Sequence, residues 1–274
     1  MAMINILVTL NQFYIEPLRV MLCSLCESNP ENKFRVFVVH SSLKEKDFIR
    51  IRSAVSGDRC EIVDTYVPYE RFPDLPSSKR WPKEACYRIF AAHILPEDLD
   101  RVLYLDPDTV VINNLGKFYT IDFENNLFAA CTHMFEPMQI ICRARLNMAQ
   151  KSVYINSGVM LINLEKFRKE QKTEQIYDYV KNNRKRIYLF DQDILNGLYH
   201  GKTLAVNPLL YNLDERYFKL HNMNPYSKTN RIDYNWVREN TVIIHFSSKK
   251  KPWHPGYKGE FGNLFYKKFA EKLI

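Results

Sequence analysis

A hydrophobic strand that ends in two aspartates is the feature that most constrains this chain. Residues 102–105 have the continuous apolar character of a central parallel strand. Pro107 lies between Asp106 and Asp108, where it ends the hydrogen-bonded ladder and fixes the backbone angle φ. Open α/β sheets bind ligands at the carboxyl ends of their strands. Two carboxylates this close repel each other unless one is protonated or a hard divalent ion neutralises them.

Two other interpretations of this segment stay open at this point. One is an Asp-Pro turn in which an aspartate caps a helix. The other is the start of a haloacid-dehalogenase-type phosphatase, in which the first aspartate, here Asp106, is a covalent nucleophile. That motif usually ends the first strand of its fold, whereas at least two strand-and-helix units precede it here.

The pattern of apolar residues predicts an α/β fold. Strands at 4–10, 34–40 and 61–66 alternate with helices at 17–27 and 45–55, as in a parallel sheet. No G-x-G-x-x-G or P-loop motif is present, so the usual dinucleotide and triphosphate loops are excluded. Further along we predict helices at 83–95, 173–182, 193–199 and 261–274, and strands at 127–132, 159–163 and 241–246. A Pro-rich loop covers 66–82, and the irregular stretch 207–240 is predicted to be a substrate-facing loop.

Composition limits the class of protein without choosing a substrate. The 274 residues suffice for one large α/β domain or two small ones. The net charge of +8 predicts attraction to anions: nucleotide phosphates, acidic polymers or an anionic membrane surface. We expect a cytoplasmic protein, because no apolar run is long enough to span a bilayer and residues 1–10 do not resemble a signal peptide. The six cysteines are expected to be reduced, although Cys23 and Cys26 have the spacing of a redox pair or half a zinc site.

Three later segments add polar groups to this picture. His245 ends the apolar strand 242–244, and with the two aspartates it would complete a mixed oxygen and nitrogen metal site. Asn156 and Gly158 precede another apolar strand, which is also typical of an ordinary turn. Residues 191–193, Asp-Gln-Asp, open a helix; capping explains one aspartate but not all three polar groups.

Taken together, these motifs resemble family 8 of the retaining glycosyltransferases, which includes bacterial lipopolysaccharide galactosyl- and glucosyltransferases and glycogenin. The motifs occur in the family's order and extend over about nine-tenths of the chain. They are 9–14, 87–88, 103–108, 155–159, 191–195, and His245 with 251–254.

The resemblance implies a GT-A type α/β fold, in which a mostly parallel nucleotide-binding sheet flanked by helices merges with a smaller acceptor-binding region. We expect a single domain over residues 1–274. Residues 1–114 would form the nucleotide-sugar-binding half, and residues 115–274 the acceptor and catalytic half.

The resemblance also implies a ligand set. Asp106, Asp108 and His245 would hold Mn²⁺, with Mg²⁺ as the alternative, and the ion would bind the diphosphate of a UDP-hexose. Lys251 would add positive charge at the same oxygens. The residues expected to contact the donor are Thr9, Leu10, Asn11, Tyr14, Arg88, Asp106, Pro107, Asn156, Ser248 and Lys251.

Two departures from the family pattern affect the donor site. Asn11-Gln12-Phe13 stands where members often have Asp-Asp-Asn, so the usual carboxylate for uracil is missing. Ser248 occupies a position that is usually glycine, which alters the phosphate loop.

Catalytic roles follow from the resemblance as well. Gln192 would lie behind the anomeric carbon, where an amide is a poor nucleophile. This favours same-face substitution, with Gln192 stabilising the developing positive charge. Asp191 and Asp193 would bind sugar hydroxyls, or one of them would trap the cation.

The expected function is transfer of glucose or galactose to a saccharide or glycolipid acceptor, in the synthesis of bacterial lipopolysaccharide or another surface polysaccharide. No nucleic-acid partner is expected, and the basic charge favours peripheral contact with the inner face of the membrane. The alternatives are the phosphatase and a self-glycosylating primer similar to glycogenin.

Overall fold

The structure is a computed structural model that describes residues 3–55, 58–73, 75–76, 82–224 and 230–274. Its strands are β1 (Met3–Thr9), β2 (Lys33–His40), β3 (Cys60–Tyr66), β4 (Arg101–Leu105), β5 (Thr109–Val111), β6 (Phe128–Ala130), β7 (Val159–Asn163), β8 (Thr203–Ala205) and β9 (Ile243–His245).

The helices occupy both faces and one end of the molecule. They are α1 (Ile15–Ser28), α2 (Glu45–Arg52), α3 (Ala91–Ile94), α4 (Gly116–Tyr119), α5 (Glu136–Leu146), α6 (Leu164–Glu170), α7 (Thr173–Asn183), α8 (Phe190–Leu198), α9 (Pro208–Tyr211), α10 (Glu215–Met223), α11 (Tyr234–Asn240) and α12 (Lys267–Ala270). None of those in the described ranges is both long and apolar enough to cross a bilayer.

Within the described residues, seven strands form one mostly parallel sheet in the order β3-β2-β1-β4-β7-β6-β8. Strand β7 runs antiparallel to β4 and to β6, and the other neighbouring pairs are parallel. The expected α/β class is therefore confirmed. The sheet contains strands from both sides of residue 114, the boundary expected between the two halves. Strand β4 lies before this residue and pairs along its whole length with β7, which lies after it.

Both faces of the sheet are buried, as its apolar strands predict. Along β1, Ile6 and Val8 pack in one hydrophobic cluster while Leu7 packs in another on the opposite face. The alternation follows from the two-residue repeat of a strand. Such a two-sided core explains why the strand sequences are continuously apolar rather than amphipathic.

The register of the sheet brings the ends of β1 and β4 together. Ile6 is aligned with Leu103 in the parallel pair, so Thr9 and the segment after Leu105 reach the same edge. The hydroxyl of Tyr104 lies 3.2 Å from the Thr9 hydroxyl and donates a 2.6 Å hydrogen bond to Asp106. The first aspartate is thereby attached to the central strands.

A second, two-stranded sheet positions the other two polar residues. Strand β5 pairs antiparallel with β9, with Thr109 opposite His245. The backbone N–H of Phe246 extends this ladder by donating to the carbonyl of Asp108 at 2.9 Å. The turn at Pro107 therefore leads directly into a strand whose partner ends in the histidine.

The prediction of a loop over 207–240 is wrong for most of that stretch. Helices α9, α10 and α11 occupy it, while residues 225–229 lie outside the described part. Each helix begins at an Asn or Asp whose side chain accepts a backbone N–H: Asn207, Asp214 and Asp233. The segments have only four to nine residues each, too short for a helical repeat to be visible, and their caps and packing stabilise them.

Two other predicted helices differ in type. Residues Lys83–Phe90 form a 3₁₀ helix, and only the short α3 that follows is α-helical. In the closing segment, residues Gly262–Tyr266 form a π-helix before α12. The predicted loop at 66–82 is described only in part. All six cysteines are free, four of them buried.

Candidate active site

Three side chains converge at the sheet edge to form a candidate metal site. One ligand atom from each of Asp106, Asp108 and His245 lies within 4.8 Å of the others. The Nε2 atom of His245 is 3.2 Å from Asp108 Oδ1 and 3.6 Å from Asp106 Oδ2. The carboxyl end of β4 and the pairing of β5 with β9 produce this convergence.

A chain of hydrogen bonds indicates which nitrogen of His245 carries the proton when the ring is neutral. The backbone N–H of Gly158, which can only donate, lies 3.1 Å from Asn156 Oδ1. That oxygen also accepts from Asn212 Nδ2 at 3.0 Å, which turns Asn212 Oδ1 toward His245 Nδ1, also at 3.0 Å. Nδ1 therefore donates, and in the neutral ring Nε2 presents its lone pair to the carboxylates.

This arrangement fits a bound cation. Among the described residues, Asp108 Oδ1 is buried without a hydrogen-bond donor, although a lone pair of His245 lies only 3.2 Å away. Two acceptors facing each other are unfavourable unless a positive centre lies between them. Two carboxylates and one imidazole form an oxygen and nitrogen set that suits Mn²⁺ better than the harder Mg²⁺.

Gly158 is required at this point by space. A Cβ atom there would lie 2.3 Å from His245 Cε1 and 2.5 Å from Asp106 Oδ2. Both atoms belong to candidate metal ligands, so any larger residue would displace them. The glycine of the Asn-Ser-Gly segment thus has a steric role.

Lys251 keeps Asp108 ionised. Its ammonium contacts Asp108 Oδ2 and donates to the carbonyl of Phe246 at 2.7 Å. Burial favours the neutral acid, but the charge of Lys251, joined by that of His245 when its ring is protonated, outweighs burial and lowers the pKa of Asp108. The pKa of Lys251 is raised, because Asp108 more than offsets the effect of its burial.

Arg88 connects the Asp106 motif to the Asp191 motif. It lies 2.9 Å from Asp106 Oδ1 and 3.2 Å from Asp191 Oδ2, and it donates to the carbonyl of Ser157 at 2.9 Å. Its guanidinium also stacks 4.2 Å from the ring centre of Tyr104. Burial raises the pKa of Asp191, and Arg88 offsets only part of that effect.

Gln192 lies between the Asn156 loop, which consists of Asn156 and Ser157, and the buried Tyr154. Its Oε1 accepts from Ser157 N at 3.2 Å and from Asn156 Nδ2 at 3.3 Å. Its Nε2 donates to the hydroxyl of Tyr154 at 2.9 Å. The carboxamide is therefore held at both ends, and it belongs to the same polar chain as Asn212 and His245.

Asp193 is fully enclosed. Its side chain is 0% exposed and accepts two hydrogen bonds from Arg145, at 2.7 and 2.8 Å, and one from Tyr154 at 2.6 Å. It also accepts the backbone N–H groups of Tyr188 and Leu189, before the left-handed Phe190 at φ +27°. These contacts outweigh burial and lower the pKa of Asp193. This geometry does not support the sugar-binding role expected of Asp193; it stabilises the turn that carries Gln192.

The residues expected at the nucleoside lie around the end of β1. Thr9 and Leu10 are buried, and Asn11 caps a short 3₁₀ helix by accepting the N–H of Phe13. The ring of Tyr14 meets that of Trp253 edge to face, with centroids 6.2 Å apart. Two further expected donor residues lie elsewhere at the edge: Pro107 between the aspartates, and the exposed Ser248, whose hydroxyl donates to the carbonyl of Lys250.

Sequence reasoning missed Asn212, Tyr154 and Arg145. Asn212 is 0% exposed and connects a candidate metal ligand to Asn156. It lies in the stretch predicted to be irregular, where one asparagine among many carries no signal. Tyr154 and Arg145 become recognisable only when the fold brings them to Asp193.

The comparison with known proteins identifies the family. The sequence model of "Glycosyl transferase family 8" matches residues 5–256. The chain belongs to glycosyltransferase family 8. A lipopolysaccharide 1,2-glucosyltransferase of Escherichia coli is 30% identical over 86% of this chain and 68% of its own length. A lipopolysaccharide 1,3-galactosyltransferase of Salmonella typhimurium is 26% identical over the same shares of the two chains.

Solved structures support the fold. The galactosyltransferase LgtC, in complex with donor and acceptor sugar analogues, matches with a TM-score of 0.83 over 99% of this chain and 96% of its own, at 24% identity. The predicted GT-A fold and the predicted family are confirmed. The protein is a glycosyltransferase, and the phosphatase and primer interpretations are not favoured.

We expect Asn212→Ala to weaken Mn²⁺ binding about 10- to 100-fold, because His245 would lose the acceptor that orients its ring. The measurement is a titration of the purified protein with Mn²⁺, following the free ion by electron paramagnetic resonance. Asn29→Ala is the control: Asn29 is equally buried, but its side chain bonds to the backbone of Leu25 and Leu115 rather than to groups of the candidate site. Equal Mn²⁺ affinity in the two variants would contradict a role for Asn212.

We expect Asp193→Asn to lower the free energy of unfolding by about 3 kcal/mol, because Arg145 would lose its buried partner. Urea unfolding at neutral pH measures the change. The exposed Asp178→Asn on α7 is the control and should stay within about 0.5 kcal/mol of wild type. Because the pKa of Asp193 is lowered by folding, its contribution is present above the ordinary Asp pKa of about 4 and is lost as pH falls through the folded value. A variant as stable as wild type at neutral pH would show that the pair contributes nothing.

Proposed function

We propose that this glycosyltransferase is retaining and metal-dependent, and that it transfers glucose or galactose from a UDP-hexose to a glycan acceptor. The acceptor would belong to bacterial lipopolysaccharide or another surface polysaccharide. One observation carries the proposal: three metal-ligand atoms converge within 4.8 Å beside a lysine, at the carboxyl edge of a nucleotide-binding type of sheet. The glucosyl- and galactosyltransferases among the relatives support the choice of hexose.

In this proposal, different residues of the chain contact different parts of the donor. Thr9, Leu10, Asn11 and Tyr14 would contact the uridine, because they surround the end of β1 beside the aspartates. Arg88 and Asn156 would lie near the sugar and the phosphates, with Pro107 and Ser248 at the edge of the same site. This assignment is supported by their common location and by the family motifs.

Asp106, Asp108 and His245 would hold Mn²⁺, which stabilises the negative charge that develops on the departing diphosphate. Lys251 lies next to Asp108 and would contribute a second positive charge at the same oxygens. Arg88 holds Asp106 through an ion pair of 2.9 Å. With the ion bound, these residues would form a cationic environment that needs little rearrangement as the bond breaks.

Gln192 would act at the anomeric carbon. Its carboxamide is held by Tyr154 and by the Asn156 loop, so its dipole has a fixed direction. A neutral amide does not form a stable glycosyl ester, which favours same-face substitution over a double displacement. Asp191, held by Arg88 and Ser157, would bind a sugar hydroxyl.

Several finer assignments stay predictions. They include the division into a donor half over 1–114 and an acceptor half over 115–274, the cytoplasmic location, and peripheral contact with an anionic membrane surface. The absence of a nucleic-acid partner is likewise a prediction.

We expect Asp108→Asn to reduce release of UDP from UDP-hexose by about 10²-fold or more, because one charged metal ligand is lost. Removal of divalent ions with a chelator should abolish wild-type turnover, and Mn²⁺ should restore it better than Mg²⁺. Asp178→Asn serves as the control and should keep wild-type activity. An aryl phosphate should not be hydrolysed. Wild-type turnover in Asp108→Asn, or a phosphoryl adduct on Asp106, would overturn the assignment.

We expect Gln192→Ala to lower kcat more than donor affinity, because an amide dipole directed at a developing cation acts mainly in the transition state. Steady-state kinetics with UDP-hexose measures both parameters, and NMR of the product should show that the donor's α-configuration is retained. Gln175→Ala, an exposed amide on α7, is the control. A β-linked product, or unchanged kcat in Gln192→Ala, would exclude this role.

A further inference from the structure

A cavity of about 420 Å³ opens next to the candidate metal ligands, and His245 is one of its lining residues. Its other walls come from segments 214–220, 246–250 and 257–259. None of its lining residues belongs to the first 114 residues, where the uridine contacts are proposed. The cavity has the size of a small-ligand site and lies on the side of His245 that the nucleoside residues do not form.

The two acidic residues in this cavity are already used by the fold. Asp214 caps α10 by accepting the N–H of Tyr217, and its other oxygen accepts from Ser247 at 2.7 Å. Glu215 accepts from Lys219 at 2.7 Å and from the hydroxyl of Tyr257 at 3.0 Å. Lys219 offsets the negative charge of Glu215, whereas the neutral donors around Asp214 hold that carboxylate in place without cancelling its charge.

Three basic residues of the cavity, in contrast, are exposed to solvent. Arg216, Lys250 and Lys258 line the cavity and are exposed. In the described part of the chain, none of the three forms an ion pair with a carboxylate, whereas Lys219 is paired with Glu215. Even with the charge of Asp214 counted, these three cations leave the opening with a net positive charge, which attracts an anion. The half-buried Tyr257 adds aromatic surface, on which a sugar ring can pack.

We propose that the cavity binds the acceptor, and that the acceptor is an acidic saccharide whose phosphate or carboxylate contacts Arg216, Lys250 and Lys258. This inference rests on the proposed function, since it places the acceptor beside the site at which the sugar is transferred. The donor diphosphate is a poorer explanation of these cations, because Lys251 and the candidate metal ligands already serve it. Binding of an anionic saccharide would thus select the acceptor by charge as well as shape.

The test compares three probes: a methyl hexoside, the same hexoside with a phosphate, and the corresponding hexuronoside. Each is titrated into the wild-type protein in the presence of UDP and Mn²⁺, and binding is followed by NMR. We expect the charged probes to bind about tenfold or more tightly than the neutral one. The phosphate and carboxylate arms distinguish the two sources of charge.

The double variant Arg216→Gln, Lys258→Gln should lose most of this preference, and Lys46→Gln, an exposed lysine on α2, should keep it. Equal binding of the three probes by wild type, no binding at all, or a preference unchanged in the double variant would overturn the proposal. The titrations are repeated without UDP, and a charge preference that appears only when UDP is absent would assign the cations to the donor instead. Loss of binding to anionic vesicles in the double variant, without any probe preference, would assign them to a membrane surface. Release of UDP from UDP-hexose by wild type without acceptor tests the proposed function separately.

Discussion

The pairing of two short strands underlies the whole site. Strand β5 begins one residue after Asp108, and its pairing with β9 places Thr109 opposite His245. Because β5 also follows the Asp-Pro-Asp turn at the end of the central strand β4, one ladder brings ligands from distant parts of the sequence together. The two strands have only three residues each. Packing of Val110 and Ile244 in the hydrophobic cluster of the C-terminal region stabilises a ladder that would be too short to form alone.

A polar chain makes this geometry depend on the rest of the site. It runs from His245 through Asn212 and Asn156 to Gln192, and then through Tyr154 to Asp193. The backbone N–H groups of Gly158 and Ser157 fix the direction of the side-chain amides, because these groups can only donate. A candidate metal ligand and the residue proposed to act at the anomeric carbon are therefore held by one network, whose members lose more when it is broken than single hydrogen bonds suggest.

Sequence reasoning reached the parts of this structure that local pattern determines. Strand β7 was predicted at its observed bounds, because four consecutive buried apolar residues carry a strong signal. The helices between residues 207 and 240 were missed, since α10 and α11 owe their stability to the caps Asp214 and Asp233 and to packing of Phe218 and Val237. Asn212 reaches His245 and Asn156 only after folding, and no sequence motif indicates this role. The enclosure of Asp193 likewise depends on Arg145, a residue of a different helix.

The balance of charge explains why donor binding and metal binding belong together in the proposed reaction. When all three are ionised, Asp106, Asp108 and Asp191 carry three negative charges, while Arg88 and Lys251 supply two positive ones. Without a further cation the site is negative and repels a diphosphate. A divalent ion at Asp106, Asp108 and His245 reverses the sign, so the same side chains then attract the donor. Both basic residues are largely buried, where low effective dielectric makes the reversal larger than at the protein surface. Arg88 and Lys251 thus stabilise the carboxylate pair in the folded protein. One further positive ion is needed before the site can attract a nucleotide sugar.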